Sequence, residues 1–234
     1  MMRHCAAFAL LVLATGGAAE DVPFSEEEVL SYTVSWPSGL SLGECEMSAR
    51  LVRGAQGEAP RWSFEFRLDA AVPGFAVQDH FASVATTDLC SLRLEKAAIH
   101  GRRTAKETTT FDTEAGLARR ETLGGGKSEM PIGKCPRDAL TFLYYLRQEL
   151  SQGRLPPPQK VYFGAEYEIR LRYVGTKQVR VGEAIQTADQ ISAQVKGPVS
   201  EHTFELLVGQ EEARRPLRVT VPLELGSFSM ELVP

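Results

Sequence analysis

The chain has 234 residues, 43% of them hydrophobic and 24% charged, a globular balance that excludes a disordered or collagen-like polymer. Its net charge is −4, so a basic surface for nucleic acid is not expected. It contains no Asn, which removes N-glycosylation and Asn-Gly hairpin turns.

Residues 1–19 carry the pattern of a cleaved export signal. Arg3 and His4 precede an apolar run from Cys5 to Ala14, and Gly17, Ala18 and Ala19 are the small residues a signal peptidase accepts. The run is shorter than the roughly 20 residues that span a bilayer. Cys5 lies at the start of the run and not at the cleavage point, which argues against lipidation. The mature chain is expected to start near Glu20, to lie in the periplasm or otherwise outside the cytoplasm, and to cross no membrane after cleavage.

Period-two alternation then dominates, as half-buried strands require. Leu30, Tyr32, Val34 and Trp36 alternate with Ser31, Thr33 and Ser35. Cys45, Met47, Ala49 and Leu51 alternate with Glu44, Glu46, Ser48 and Arg50. Trp62, Phe64, Phe66 and Leu68 alternate with Ser63, Glu65 and Arg67. Further strands are predicted near 79–85, 91–99, 105–111 and 117–122, with turns at Pro73-Gly74 and at Gly124 to Gly126.

Residues 136–152 break the pattern. Ala139, Leu143, Leu146 and Leu150 form a helical stripe. Pro136 suits the first turn, Asp138 the positive end of the dipole, and Gly153 a C-terminal cap ahead of Pro156 to Pro158. Alternation resumes with Tyr167, Ile169, Leu171 and Tyr173 against Glu166, Glu168, Arg170 and Arg172. More strands are predicted near 177–181, 190–195, 202–208, 217–221 and 227–232, with turns at Gly197-Pro198 and Gly226. Strands without intervening helices imply a mainly β protein. The expected architecture is a curved antiparallel sheet or barrel-like fold with one principal helix packed on it. Residues 20–234 are read as a single domain.

Motifs for catalysis fail their context. Gly39 to Gly43 matches G-x-S-x-G, but a second strand follows where a nucleophile elbow needs a helix. Gly124 to Ser128 resembles a phosphate loop, but Glu121 stands where its first glycine belongs. No nucleotide, metal or other cofactor is expected. His80, His100 and His202 are isolated in sequence, so no ligand spacing is visible.

Three cysteines remain after cleavage. Cys45 lies on an apolar strand face, where a thiol acts as a small hydrophobe. Cys90 lies in the polar Thr87 to Ser91 stretch, and Cys135 precedes the helix. In an oxidising compartment Cys90–Cys135 is the expected disulfide, with Cys45 free. The competing reading makes Cys135 a nucleophile activated by the helix dipole.

The segment Cys135-Pro136-Arg137-Asp138-Ala139-Leu140-Thr141-Phe142-Leu143-Tyr144-Tyr145-Leu146-Arg147, followed by Gly153 to Pro156, resembles the exported bacterial family called domain of unknown function 3108. So do the tyrosine-bearing strand and glycine turn from Tyr32 to Gly43, the Phe111-Asp112 hairpin and the late strand from Arg215 to Arg218. The resemblance implies a β-rich extracytoplasmic protein and no established activity. A small residue is more usual at the Cys45 position, in keeping with an unpaired thiol there.

The function expected is a non-catalytic binding module for an apolar envelope component such as a lipid. Trp62, Phe64, Phe66, Tyr167 and Tyr173 are the candidate lining residues. The competing reading of these five is a filled core, and the alternative functions are a structural or assembly protein of the cell envelope acting through protein contacts, and an enzyme. No convergent nucleophile and base can be named for the latter. An outer-membrane barrel is disfavoured by dense Glu and Arg on short strands and the lack of aromatic girdles.

Overall fold

A computed structural model of the chain describes residues 22–234, apart from 37, 56, 73–74 and 224–225. The export signal and the Pro73-Gly74 turn lie outside the described residues. Eight strands come first: β1 (Glu27–Ser35), β2 (Ser41–Val52), β3 (Arg61–Val72), β4 (Phe75–Thr86), β5 (Ser91–His100), β6 (Arg103–Asp112), β7 (Leu117–Thr122) and β8 (Lys127–Pro131). Helix α1 (Ala139–Ser151) follows. Six more strands complete the chain: β9 (Gln159–Tyr162), β10 (Glu166–Val181), β11 (Ala184–Lys196), β12 (Glu201–Gly209), β13 (Pro216–Leu223) and β14 (Gly226–Leu232).

All strands belong to one antiparallel sheet that runs from β8 down to β1, crosses to β14 and continues down to β9. Every pairing joins consecutive strands except β1 with β14, where Tyr32 faces Leu232. The sheet curves around α1 but does not close, since β8 and β9 remain its two edges.

The edges overlap instead of meeting. Tyr162 of β9 packs with Leu94, Phe111 and Ala118 on the concave face of β5, β6 and β7, and its hydroxyl donates to the Pro131 carbonyl at 3.0 Å. Its neighbour Val161 points the other way, against Phe142 of α1. β9 therefore lies between the helix and the outer turn of the sheet. Residues 136–138 bind this seam together. The Pro136 carbonyl accepts the Ser91 N–H at 2.8 Å, and the Arg137 carbonyl accepts the Tyr162 N–H at 3.0 Å.

The helix starts one turn later than its sequence pattern implies. Asp138 is the N-cap, accepting the N–H groups of Leu140 and Thr141 at 2.9 and 3.0 Å, so Pro136 precedes the helix instead of opening its first turn. Gly153 ends it as expected, at φ +72°. Its N–H bonds Leu150 and the Arg154 N–H bonds Glu149, a Schellman arrangement that satisfies the last carbonyls. Burial departs from a single stripe. Leu140, Phe142, Tyr144, Leu146, Arg147 and Leu150 are all buried, because the sheet wraps the helix from several sides.

Three further differences concern strands. β8 and β9 carry no alternation that marks them. The segments near 167–173 and 177–181 are one strand, β10, whose register shifts between Tyr173 and Gly175. β11 starts at Ala184, well before 190.

Candidate functional site

The cysteines pair as expected. Cys90 and Cys135 form a disulfide with a Cα–Cα distance of 4.8 Å, so Cys135 is not a thiolate. Cys45 is free and buried, and burial, helped by Glu46, pushes its thiol up to about 12.

The structure does not bring the five candidate lining residues together. Trp62 and Phe64 are 3% and 0% exposed. They stack on each other at 5.9 Å, and Phe64 stacks on Tyr144 of the helix at 4.1 Å. Both are filled core. Tyr173 sits at the β10 bulge, 50% exposed, with its hydroxyl 2.9 Å from that of Thr176. Tyr167 is half-buried and lies over Gly197. Phe66 alone reaches an open part of the concave face, where it stacks on Phe81 at 5.4 Å.

That open part follows from the register. Facing residues of paired strands share one face, so Phe64 and Ser83 form one concave row, and Phe66, Phe81, Lys96 and Glu107 the next. Beyond lie the rows Leu68, Asp79, Ala98 and Ala70, Val77, His100. The helix covers the first row through Tyr144 and through Asp138, which accepts the Ser83 hydroxyl at 2.5 Å. The row of Leu68 runs back through Cys45 and Tyr32 to Leu232, which are all buried. From β3 onward the same row is only half-buried. Phe66, Leu68, Ala70, Val77, Phe81 and Ala98 thus floor a recess on the concave face.

Polar groups bound this recess. The Nε2 of His100 lies 2.8 Å from Asp79 Oδ1. Lys96 donates to Glu107 at 2.8 Å, and Arg120 donates to the other carboxylate oxygen at 2.7 Å. Burial would raise the Glu107 pKa, but the two cations outweigh it and hold the carboxyl below the usual range. The β9–β10 turn closes over them. Phe163 meets Phe81 edge-on at 5.0 Å and lies under the Lys96 ammonium at 3.9 Å. Gly164 adopts φ +80°, and a Cβ there would come within 2.5 Å of Glu107. Only glycine fits that approach.

The remaining motifs are parts of hairpins. Ser41 opens β2, and Gly124 to Gly126 form the β7–β8 turn. Among the described residues no group of three His, Cys, Asp or Glu side chains is placed to hold a metal, and no helix is long and apolar enough to cross a membrane. A cleft of about 840 Å³ on another face has a mixed lining, with Thr33, Arg180 and Arg218 beside the apolar Trp36, Phe228 and Val233. Sequence patterning also missed the Arg147–Glu28 pair, whose guanidinium is 1% exposed and binds the carboxylate twice, at 2.6 and 2.7 Å.

A curved antiparallel sheet that wraps a helix and stops short of closure defines a β-barrel-like protein. The chain belongs to the family described as protein of unknown function (DUF3108), which matches over residues 31–233. Among solved structures it is similar to a β-barrel-like protein of domain of unknown function DUF1849 from Brucella abortus. That likeness has a TM-score of 0.59 at 9% identity, and covers 88% of this chain and 95% of that one. At such identity it concerns the fold alone. No curated protein matches.

Proposed function

We propose that the protein is an exported, non-catalytic binding module that holds an apolar ligand, the acyl part of an envelope component, on the open concave face. The observation that carries this reading is the half-burial of Leu68, Ala70 and Val77, in line with rows the helix and the sheet otherwise bury. Apolar side chains on a concave surface, with a few charged groups at one side, suit an acyl chain with a polar end. Export is supported by the signal pattern of residues 1–19 and by the Cys90–Cys135 bridge, which fits an oxidising compartment. N-terminal sequencing of the native protein should find a start near Glu20.

The test is displacement of a fluorescent naphthylamine probe by palmitate from the purified mature protein. L68D and V77D should each weaken palmitate binding about tenfold or more, the effect of losing one buried aliphatic contact. L123D, on the exposed β7–β8 hairpin, should leave it unchanged. Absence of probe binding, or equal affinity in L68D, would overturn the proposal.

A further inference from the structure

Arg137 belongs to the most distinctive segment of the chain, and its side chain takes no part in the acyl recess. Its backbone is fixed in the seam by the Tyr162 hydrogen bond. Its guanidinium stacks on the Tyr145 ring, with Cζ 3.5 Å from the ring centre. One Nη donates to Gln159 Oε1 at a long 3.3 Å. The Nε is buried and has no hydrogen-bond partner, and no ion pair to Arg137 is found among the described residues. Glu149, the acidic group nearby on the helix, is held by Arg154 at 2.8 and 3.1 Å.

The guanidinium stands in a cleft of about 630 Å³, lined also by Asp88, Gln148, Glu149, Arg154, Leu155 and Pro157. The cleft lies at the Asp88 end of β4, whereas the acyl recess lies toward the Val77 end of the same strand. A buried N–H without an acceptor is costly, and more so on a charged group. Stacking on Tyr145 holds the guanidinium, which lines the cleft, and one Nη is committed to nothing more than the long Gln159 contact. A guanidinium matches two oxygens of one carboxylate or phosphate. Arg154 and Glu149 neutralise each other in the cleft, so Arg137 is the cation that favours an anion here, while Asp88, on the exposed rim, opposes one. Burial lowers the Arg137 pKa from the ordinary arginine value, a penalty on the cation that a bound anion would offset.

We infer that this cleft is an oxyanion-binding site, in which the Arg137 guanidinium grips a carboxylate or phosphate group. The site is independent of the acyl recess.

The experiment follows the Arg137 side-chain Nε–H in ¹H–¹⁵N spectra of the mature, disulfide-bonded protein, assigned by its loss in R137K. Inorganic phosphate and acetate are titrated separately at constant ionic strength. A saturable shift of this signal is expected, with the exposed Arg119 unmoved. Saturation by phosphate alone identifies a phosphate site; saturation by both identifies a site that reads only the two-oxygen fork. R137Q should weaken phosphate binding about tenfold or more, as the loss of a charged hydrogen-bond pair implies. Should R137Q fail to fold, the wild-type titration decides alone. No saturable shift at tens of millimolar, or undiminished binding in a folded R137Q, would overturn the inference.

Discussion

Replacing Arg147 with Met tests whether the helix is anchored by charge at its centre. Arg147 binds the Glu28 carboxylate of β1 twice and also donates to the Ala213 carbonyl at 2.8 Å and the Arg214 carbonyl at 3.1 Å. Its Cζ lies 5.0 and 5.1 Å from the Phe24 and Tyr144 ring centres. R147M would leave the Glu28 side chain, 10% exposed, as a lone buried charge and strand the two carbonyls. Breaking such a pair costs about 3–5 kcal/mol. In a chain of this size that is a fall of about 6–20 °C in Tm. E28Q should cost about 1.5–3 kcal/mol, the worth of a hydrogen bond to a charged group. E28Q/R147M should be no less stable than R147M by more than about 1 kcal/mol, because the stranded carboxylate is then gone. Urea titrations of the non-reduced protein, read by the fluorescence of buried Trp62, measure all three. A loss below about 1 kcal/mol in R147M, or a double variant equal to the sum of the singles, would refute the reasoning.

Three other outcomes follow from the cysteines and from Glu107. C90S/C135S should lose about 4 kcal/mol, the chain-entropy value for a loop of this size, visible as a lower urea midpoint. In the native protein Cys45 should resist iodoacetamide at mildly alkaline pH and react only on unfolding, since its thiol titrates near 12; rapid native labelling would contradict this. Glu107 is held below the usual carboxylate range by Lys96 and Arg120, so the unfolded chain binds its proton more readily than the folded one. Stability from this group is present above the ordinary Glu pKa and is lost as pH falls through the lower folded value. E107Q should lack that acid-side loss, and a wild-type-like acid limb in E107Q would argue against the triad.

Much of the sheet is legible because most strands have one dry face and one wet face. β3 shows this plainly, with Trp62, Phe64 and Phe66 set against Ser63, Glu65 and Arg67. β9 is hidden for the opposite reason: sandwiched between helix and sheet, it buries Val161 on one side and Tyr162 on the other, so no alternation survives. β10 looks like two strands because the bulge at Gly175 resets its phase and Tyr173 beside it stays half exposed. The disulfide is readable from the polar setting of Cys90 and the apolar strand position of Cys45. The recess is not, because an alternating face does not record where a helix stops covering it: Phe64 and Phe66 are alike in sequence, and only Tyr144 separates their fates. Arg147 is missed because a charge on a helix ordinarily implies solvent. Its partner lies 119 positions away, beyond any local pattern.

Among the described strands, the one pairing between non-consecutive strands, β1 with β14, has a consequence for how the chain acquires its shape. Each other ladder can form between neighbours as soon as both strands exist, so β1 to β8 and β9 to β14 can assemble as two local ribbons. Their union waits for residues 226–232, which are synthesised after every other described strand. Until Met230 and Leu232 arrive, β1 presents an unpaired edge beside the apolar row of Tyr32 and Val34, the kind of edge that recruits other chains. Vectorial synthesis thus leaves the first strand as the last to be protected, and a chain cut short before β14 would keep that edge open for good.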